Sequence, residues 1–211
     1  MNRKIKILVI IAVLIITGVT IIRSFINNNK KVIVCIDAGH GGTDVGATKE
    51  NRYEKNDTLK VAKLVREYLE QENIKVIMTR TDDITCTLQE RCKIANKKKA
   101  DLFVSIHRNS ADTGSGIETW INSKQNEEDI ELATNIMNYI GKIKIQNDRG
   151  IKYGTIKGEN TDYYVLNNTK MPSCLIELGF ISDDEDNKLF DENIEIYAEA
   201  IGNGIIETIK K

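Results

Sequence analysis

At 211 residues, 41% of them hydrophobic and 29% charged, the chain has room for one domain with a full core, and it contains no internal repeat. Five of its 30 basic side chains and none of its 31 acidic ones lie before residue 31, so the remainder stands at −6. That balance excludes a nucleic-acid binder, which needs a basic face, and it gives no electrostatic hold on an anionic wall polymer.

The chain begins with the basic "MNRKIK", followed by the uncharged "ILVIIAVLIITGVTII" (residues 7–22) and Arg23. As a helix that run spans roughly 24 Å, slightly short of a hydrocarbon core, and Ser24, Phe25 and Ile26 lengthen it if Arg23 snorkels. The flank "VTIIRSFINNNKK" holds no small-x-small cleavage site, so residues 1–26 are expected to form an uncleaved signal anchor, with a cleaved signal peptide as the alternative. The positive flank keeps the N-terminus in the cytoplasm and places the rest outside the bacterial membrane. Residues 27–31 read as a short polar linker and 32–211 as a single working domain.

Strand and helix periods then alternate. Residues 31–36 and 74–79 read as buried strands, with an amphipathic helix between them carrying Leu59, Ala62, Leu64, Val65, Tyr68 and Leu69. A helix over 87–98 leads into the strand 101–107, and 116–121 forms another strand. The spacing of Ile130, Ala133, Ile136, Met137 and Ile140 predicts a helix over 127–143. Residues 173–178 are the last strong strand, and 193–209 the closing helix. This order predicts an α/β domain with a mostly parallel sheet flanked by helices, whose ligand site lies at the carboxyl ends of the strands.

The chain has two histidines, and both fall there: His40 in "IDAGHGG" after the first strand and His107 at the end of the third. The glycine-rich loop is not a nucleotide cradle. A dinucleotide fingerprint would need Gly where Asp44 stands, and a P-loop would need Lys where Ala47 stands. Two imidazoles and a carboxylate form a three-ligand set that leaves Zn²⁺ an open position for water. Asp44, Glu50, Glu54 and Asp57 are the candidate third ligands, and Glu54 is favoured because it opens a helix close to the strand end. Glu177, set among apolar residues in "CLIELGF", is the candidate general base. Its structural alternative is a buried partner for Arg80, Arg91 or Arg149. Tyr163 and Tyr164 read as packing. The four cysteines are expected to be free thiols: Cys86 and Cys92 are separated by about 9 Å of helix rise, and Cys35 and Cys174 sit in buried strands.

Eight pieces stand in order along the chain: "IDAGHGGTDVGA", "YEKND", "VIMTRTDD", "LQERCKIAN", "ADLFVSIHRNS", "GIETW", "DRGIK" and "VLNNTKMPSCLIELGFIS". Together they resemble the zinc-dependent N-acetylmuramoyl-L-alanine amidases of the amidase-3 type, from about residue 31 to the C-terminus. The resemblance implies an α/β hydrolase that cuts the amide between the lactyl group of N-acetylmuramic acid and L-alanine in peptidoglycan. It implies His40, Glu54 and His107 as Zn²⁺ ligands. It also implies Glu177 as the catalytic glutamate, base for the attacking water and then acid for the alanine nitrogen. Wall remodelling, with spore cortex processing or germination among its settings, is the implied context.

Where the family carries a small residue after its second histidine, this chain has Arg108. Arg108 and Asn109 are candidate substrate contacts, the cation for stem-peptide carboxylates, with Arg108 pointing to solvent as the alternative. The short link from His107 to Gly116 and the ordinary helix after Trp120 predict no self-inhibiting segment. No wall-binding repeat accompanies the domain, so the anchor is the expected localising device, and an activating or zinc-loading partner leaves no signature. Two further functions compete. A zinc peptidase acting within the stem peptide is opposed by the ordered motifs, and an inert wall-binding scaffold by the joint presence of His40, Glu54, His107 and Glu177.

Overall fold

A computed structural model describes residues 31–155 and 161–210. The expected anchor, residues 1–26, lies outside the described residues, as does all but one residue of the linker. Among the described residues no helix is long and apolar enough to cross a membrane.

Three parallel strands form the centre: β1 (Ile33–Ala38), β5 (Leu102–Asn109) and β8 (Ser173–Phe180), with β4 (Lys75–Met78) beyond β1. On the other side β6 (Ile117–Ile121) runs antiparallel to β8, and β7 (Asp148–Tyr153) pairs parallel with β6 at the edge. The sheet order is β4-β1-β5-β8-β6-β7. The expected mostly parallel sheet is present, and the reversal at β6 has a simple cause. Residues 110–116 are too few for a crossover, which takes a dozen or more, so β6 returns in the opposite direction. A separate two-stranded ribbon, β2 (Thr48–Lys49) with β3 (Arg52–Tyr53), precedes the first helix.

Alternation along each strand divides the core. Val34, Ile36 and Ala38 of β1, Leu102, Val104 and Ile106 of β5, and Cys174, Ile176 and Leu178 of β8 face one side. There they pack under α1 (Glu54–Gln71), α3 (Glu127–Ile143) and α5 (Asp184–Ile209). The intervening Cys35, Phe103 and Leu175 face α2 (Leu88–Lys98) and the single turn α4 (Tyr164–Asn168) on the other side. Burial on both faces explains why these strands read as continuous apolar runs rather than alternating ones.

Helix starts follow their caps. Thr87 accepts from Glu90 N while Glu90 Oε2 accepts from Thr87 N, a reciprocal box that starts α2 at Leu88 and leaves Cys86 before the helix. All four cysteines are free thiols, as expected. Helix α5 begins at Asp184, well before the expected closing segment. Asp183 caps it and its first turn is acidic, but Asn193 at φ −130° interrupts the helical spacing just where the apolar repeat begins. Strand β7 and turn α4 have no periodic signature: "DRGIKY" is a polar edge and α4 is five residues long.

Ile201, fully buried in the core beneath α5, gauges that packing. Ile201→Ala is expected to lower unfolding free energy by roughly 2–5 kcal/mol in urea titration. A loss below about 1 kcal/mol would mean that α5 is not packed as described.

Candidate active site

The first β-α connection, the N-terminus of α1 and the end of β5 meet at one point. Glu54 is the first residue of α1, where an acid also complements the helix dipole. Its carboxylate is buried and joins both histidines: Oε2 lies 3.1 Å from His40 Nε2 and Oε1 lies 3.0 Å from His107 Nδ1. Each oxygen also accepts one backbone N–H, from Ala47 at 2.9 Å and from Arg108 at 2.9 Å. Burial opposes the charge, but the two imidazoles outweigh it and hold the Glu54 pKa far below the usual carboxylate range. His40 behaves in the complementary sense: burial lowers its pKa, Glu54 and Asp44 raise it, and the net direction is upward.

The glycines serve this convergence by their lack of a side chain. A Cβ on Gly39 would lie 2.4 Å from His107 Cε1, and one on Gly46 would lie 2.7 Å from both Glu54 Oε2 and the His40 ring. The turn-making role expected for them holds at Gly46, where φ is +69°, but at Gly39 close approach to the His107 ring is the constraint.

Donor atoms of His40, Glu54 and His107 lie within 4.8 Å of one another. Behind the set, His40 Nδ1 lies 2.9 Å from Asp44 Oδ2, an outer carboxylate that fixes the ring so that Nε2 keeps its lone pair for an ion. Two imidazole nitrogens and one carboxylate, with such an outer partner, are the donor chemistry of a catalytic Zn²⁺ centre. Of the four candidate acids, Glu54 alone joins both histidines. Asp44 supports from outside, Asp57 binds Arg52 and Arg108 on the far side of the sheet, and Glu50 lies in the exposed turn between β2 and β3.

Glu177 stands beside His107 in register across β5 and β8, only 6% exposed, and among the described residues its Oε2 has no hydrogen-bond partner. The alternative reading as an arginine's partner fails for all three candidates. Arg80 binds backbone carbonyls, Arg91 pairs with Asp37, and Arg149 pairs with Glu118. Burial first, then the charges of Glu54 and Glu118, drive the Glu177 pKa well above the ordinary carboxyl value.

Glu118 is a functional neighbour missed from the sequence. It opposes Glu177 across β8 and β6, accepts from Asn109 Nδ2 (2.8 Å) and Trp120 Nε1 (3.0 Å) on Oε1, and from Arg149 Nε (2.6 Å) on Oε2. The signal was present in "GIETW", where alternation puts Glu118 and Trp120 on one face. Asn109 is therefore engaged with Glu118 inside the protein. A cleft of about 330 Å³ opens over His40 and His107, walled by Leu88, Tyr163, Tyr164 and Leu175. The two tyrosines thus line the site as well as packing. Helix α3 packs Leu132, Ala133, Ile136, Met137 and Ile140 into the core on the other side of the sheet.

Arg108 takes neither expected place. Alternation sends it to the side of the sheet opposite His107, where it is 2% exposed, bonds Asp57 Oδ2 (2.8 Å) and Asn187 Oδ1 (2.8 Å), and lies 4.2 Å from the centre of the Phe190 ring. It braces α1 to α5 and contacts neither substrate space nor solvent.

Over residues 34–211 the chain matches the Amidase_3 family, described as N-acetylmuramoyl-L-alanine amidase. It is 40% identical over 176 residues to YqiI of Bacillus subtilis (strain 168), covering 82% of each chain. Several other curated relatives are longer, and the chain spans 56–66% of their length. Among solved structures, the catalytic domain of the amidase CwlV from Bacillus (Paenibacillus) polymyxa var. colistinus is 36% identical, with a TM-score of 0.74 over 83% of this chain and 97% of that one. The CwlD amidase of Clostridioides difficile, solved in complex with the GerS lipoprotein, is 30% identical, with a TM-score of 0.77 over 85% and 98%.

Two expectations follow from the site. Arg108→Met removes one partner of a buried pair and should lower stability by about 3 kcal/mol in urea unfolding without raising KM; a raised KM at unchanged stability would return Arg108 to the cleft. For Glu177 the folded pKa exceeds the unfolded value near 4.5, so its contribution is complete below that pH and is lost as pH climbs through the folded pKa. The metal-free wild type should therefore lose stability relative to Glu177→Gln as pH rises from about 4.5. Melting temperatures in chelator across pH 4–9 check this, and parallel curves would refute it.

Proposed function

The chain belongs to the N-acetylmuramoyl-L-alanine amidase family and is an enzyme of that class, and from that premise we propose that it is a zinc-dependent hydrolase of peptidoglycan. Its bond is the amide between the lactyl carbonyl of N-acetylmuramic acid and the L-alanine nitrogen, and its work is wall remodelling, with spore cortex processing or germination as settings of it. One observation carries the reading: His40, Glu54 and His107 converge on a single point beside Glu177, a buried carboxyl with an unpartnered oxygen.

In this reading His40, His107 and Glu54 would hold Zn²⁺, which when bound would supply Lewis acidity and a more acidic water. Asp44 keeps the His40 ring in its ligating tautomer. Glu177 takes the proton from water attacking the lactyl carbonyl and returns it to the alanine nitrogen as the C–N bond breaks. The position of Glu177 suits both acts, since burial and neighbouring carboxylates make the proton easy to hold, and no competing donor among the described residues occupies Oε2. Glu118, fixed by Arg149, Trp120 and Asn109, keeps negative charge beside Glu177. The apolar walls of the cleft keep bulk water from the reacting groups.

We also read residues 1–26 as an anchor that holds the domain at the outer face of the membrane, on the strength of their basic flank and apolar run. The likeness to CwlD, which was solved bound to a lipoprotein, supports a protein partner for this domain as well.

The decisive assay incubates the full-length chain with purified peptidoglycan, with and without a zinc chelator, and scores new N-terminal alanine against new reducing ends. Chelator-sensitive alanine amines without reducing ends are expected. Glu177→Gln should lower kcat by about 10²–10⁴-fold while binding zinc, and His107→Ala should lose stoichiometric zinc. New amino termini from within the stem peptide would instead identify a peptidase, and zinc binding without any product would favour a binding role.

A further inference from the structure

The three metal-site residues come from elements that are tied together unequally. His40 follows β1 and His107 lies within the neighbouring β5, and the ladder between the two strands continues to Gly39 N, which donates to Ile106 O at 3.1 Å. Glu54 sits on α1, which lies outside the sheet and rests on it through apolar side chains. Apolar packing is non-directional and tolerates sliding, whereas metal ligands need placement to a few tenths of an ångström.

One guanidinium spans this gap. Arg80, 2% exposed, follows β4 and donates to the loop through Nε to Ala38 O (3.0 Å) and Nη2 to Gly39 O (2.8 Å). The same Nη2 reaches the first turn of α1, at Lys55 O (2.8 Å) and Thr58 Oγ1 (3.1 Å), and Nη1 donates to Asp82 O at 3.2 Å. Among the described residues none of these acceptors is a carboxylate. A cation buried against neutral acceptors is costly, and a smaller apolar residue would fill the space more cheaply if space were the only need. The chain nevertheless sets a second guanidinium beside it. Arg91 donates to Asp37 Oδ1 (2.7 Å), Ala38 O (2.6 Å) and His40 O (2.5 Å), with Nε on Cys86 O at 3.0 Å.

His40 needs that grip, because its φ of +59° is the left-handed conformation that non-glycine residues avoid by about 1–2 kcal/mol. Other ties join the loop to α1, namely Thr58 Oγ1 to Gly39 O, Glu54 N to Ala47 O and Lys55 N to Val45 O. Thr58 Oγ1 also reaches Lys55 O at 3.2 Å, so it touches the neighbours of both His40 and Glu54 as Arg80 does; Arg80 differs in doing so through one rigid planar group with several donors.

We propose that Arg80 is a positioning residue that sets the separation of His40 from Glu54, and that Arg91 holds His40 in its left-handed conformation, so that the pair preorganises the metal ligands. This rests on the zinc reading above. The mechanism is geometric: two planar forks bind six backbone carbonyls, those of Ala38, Gly39, His40, Lys55, Asp82 and Cys86, and a lysine in either place keeps the charge but cannot form the fork.

The test measures zinc affinity of the full-length chain by competition with a chromophoric chelator, together with the visible spectrum of the cobalt(II) form, which reports ligand geometry. Arg80→Lys and Arg91→Lys are each expected to weaken zinc about tenfold or more and to alter the cobalt spectrum, with circular dichroism unchanged. Ile201→Ala, destabilised far from the ligands, is expected to bind zinc as the wild type does. Wild-type affinity and spectrum in both lysine variants would overturn the proposal. So would an equal loss of affinity in Ile201→Ala, since the arginines would then act only through stability. If the wild type itself binds no zinc, the zinc reading fails first and this inference falls with it. Should Arg80→Lys fail to fold, Arg91→Lys carries the same comparison.

Discussion

A buried carboxylate that must stay charged governs this domain. Glu54 sits where the sheet, the first loop and α1 meet, and nothing in an apolar interior would tolerate its charge unless every lone pair were answered. His40, His107, Ala47 N and Arg108 N answer it. These partners come from the first loop and from β5, while Glu54 itself opens α1, so satisfying one side chain closes the loop on the sheet and the helix on both. The glycine positions follow from the same demand: Gly39 and Gly46 are bare because the rings and carboxylate already fill the volume a Cβ would take. Fold and site are here one problem, since the group that would hold a cation is also the group that locks the elements together.

The two faces of the sheet divide the labour. The face toward α2 and α4 carries His107, Glu177, Glu118 and the cleft, while the face toward α1, α3 and α5 carries the larger apolar core. Polar residues that pierce the second face do so as braces. Arg108 joins Asp57 and Asn187 and rests on Phe190, and Arg52 adds a bidentate link to Asp191 of α5. Such pairs are weak contributors to net stability but costly to break singly, which suits them to fixing the angle of α1, and with it Glu54, over the strand ends.

The electrostatics around His107, beneath the cleft, are lopsided. Three carboxylates, Glu54, Glu118 and Glu177, lie close together, and two of them are neutralised by partners of their own. The third is left with burial and like charge around it, and the proton is its only remedy. A group in that condition is poised to accept and release a proton, and among the described residues no donor meets Glu177 Oε2.

Much of this was legible before any coordinates. Apolar runs placed the central strands, 3.6-residue spacing placed α1 and α3, and the position of the only two histidines at strand ends located the site, because an open α/β sheet concentrates function there. Period-two alternation in "FVSIHRNS" also held the fact that Arg108 and His107 point to opposite sides, although the departure from the family pattern drew attention toward substrate instead. Other features had no local trace. Strand β7 is polar, α4 is a single turn, and the onset of α5 was hidden by the break at Asn193. Arg149, which meets Glu118, and the acids and carbonyls that meet Arg80, Arg91 and Arg108 across the fold lie some 20 to 80 residues away. The sequence by itself determined which elements form and which residue types reach the strand ends, because those follow from periodicity and short-range chemistry. Which acid completes the set, which guanidinium braces it and which carboxyl is left unpaired were decided only by tertiary structure, because charge satisfaction in a buried site depends on neighbours that the chain brings together from afar.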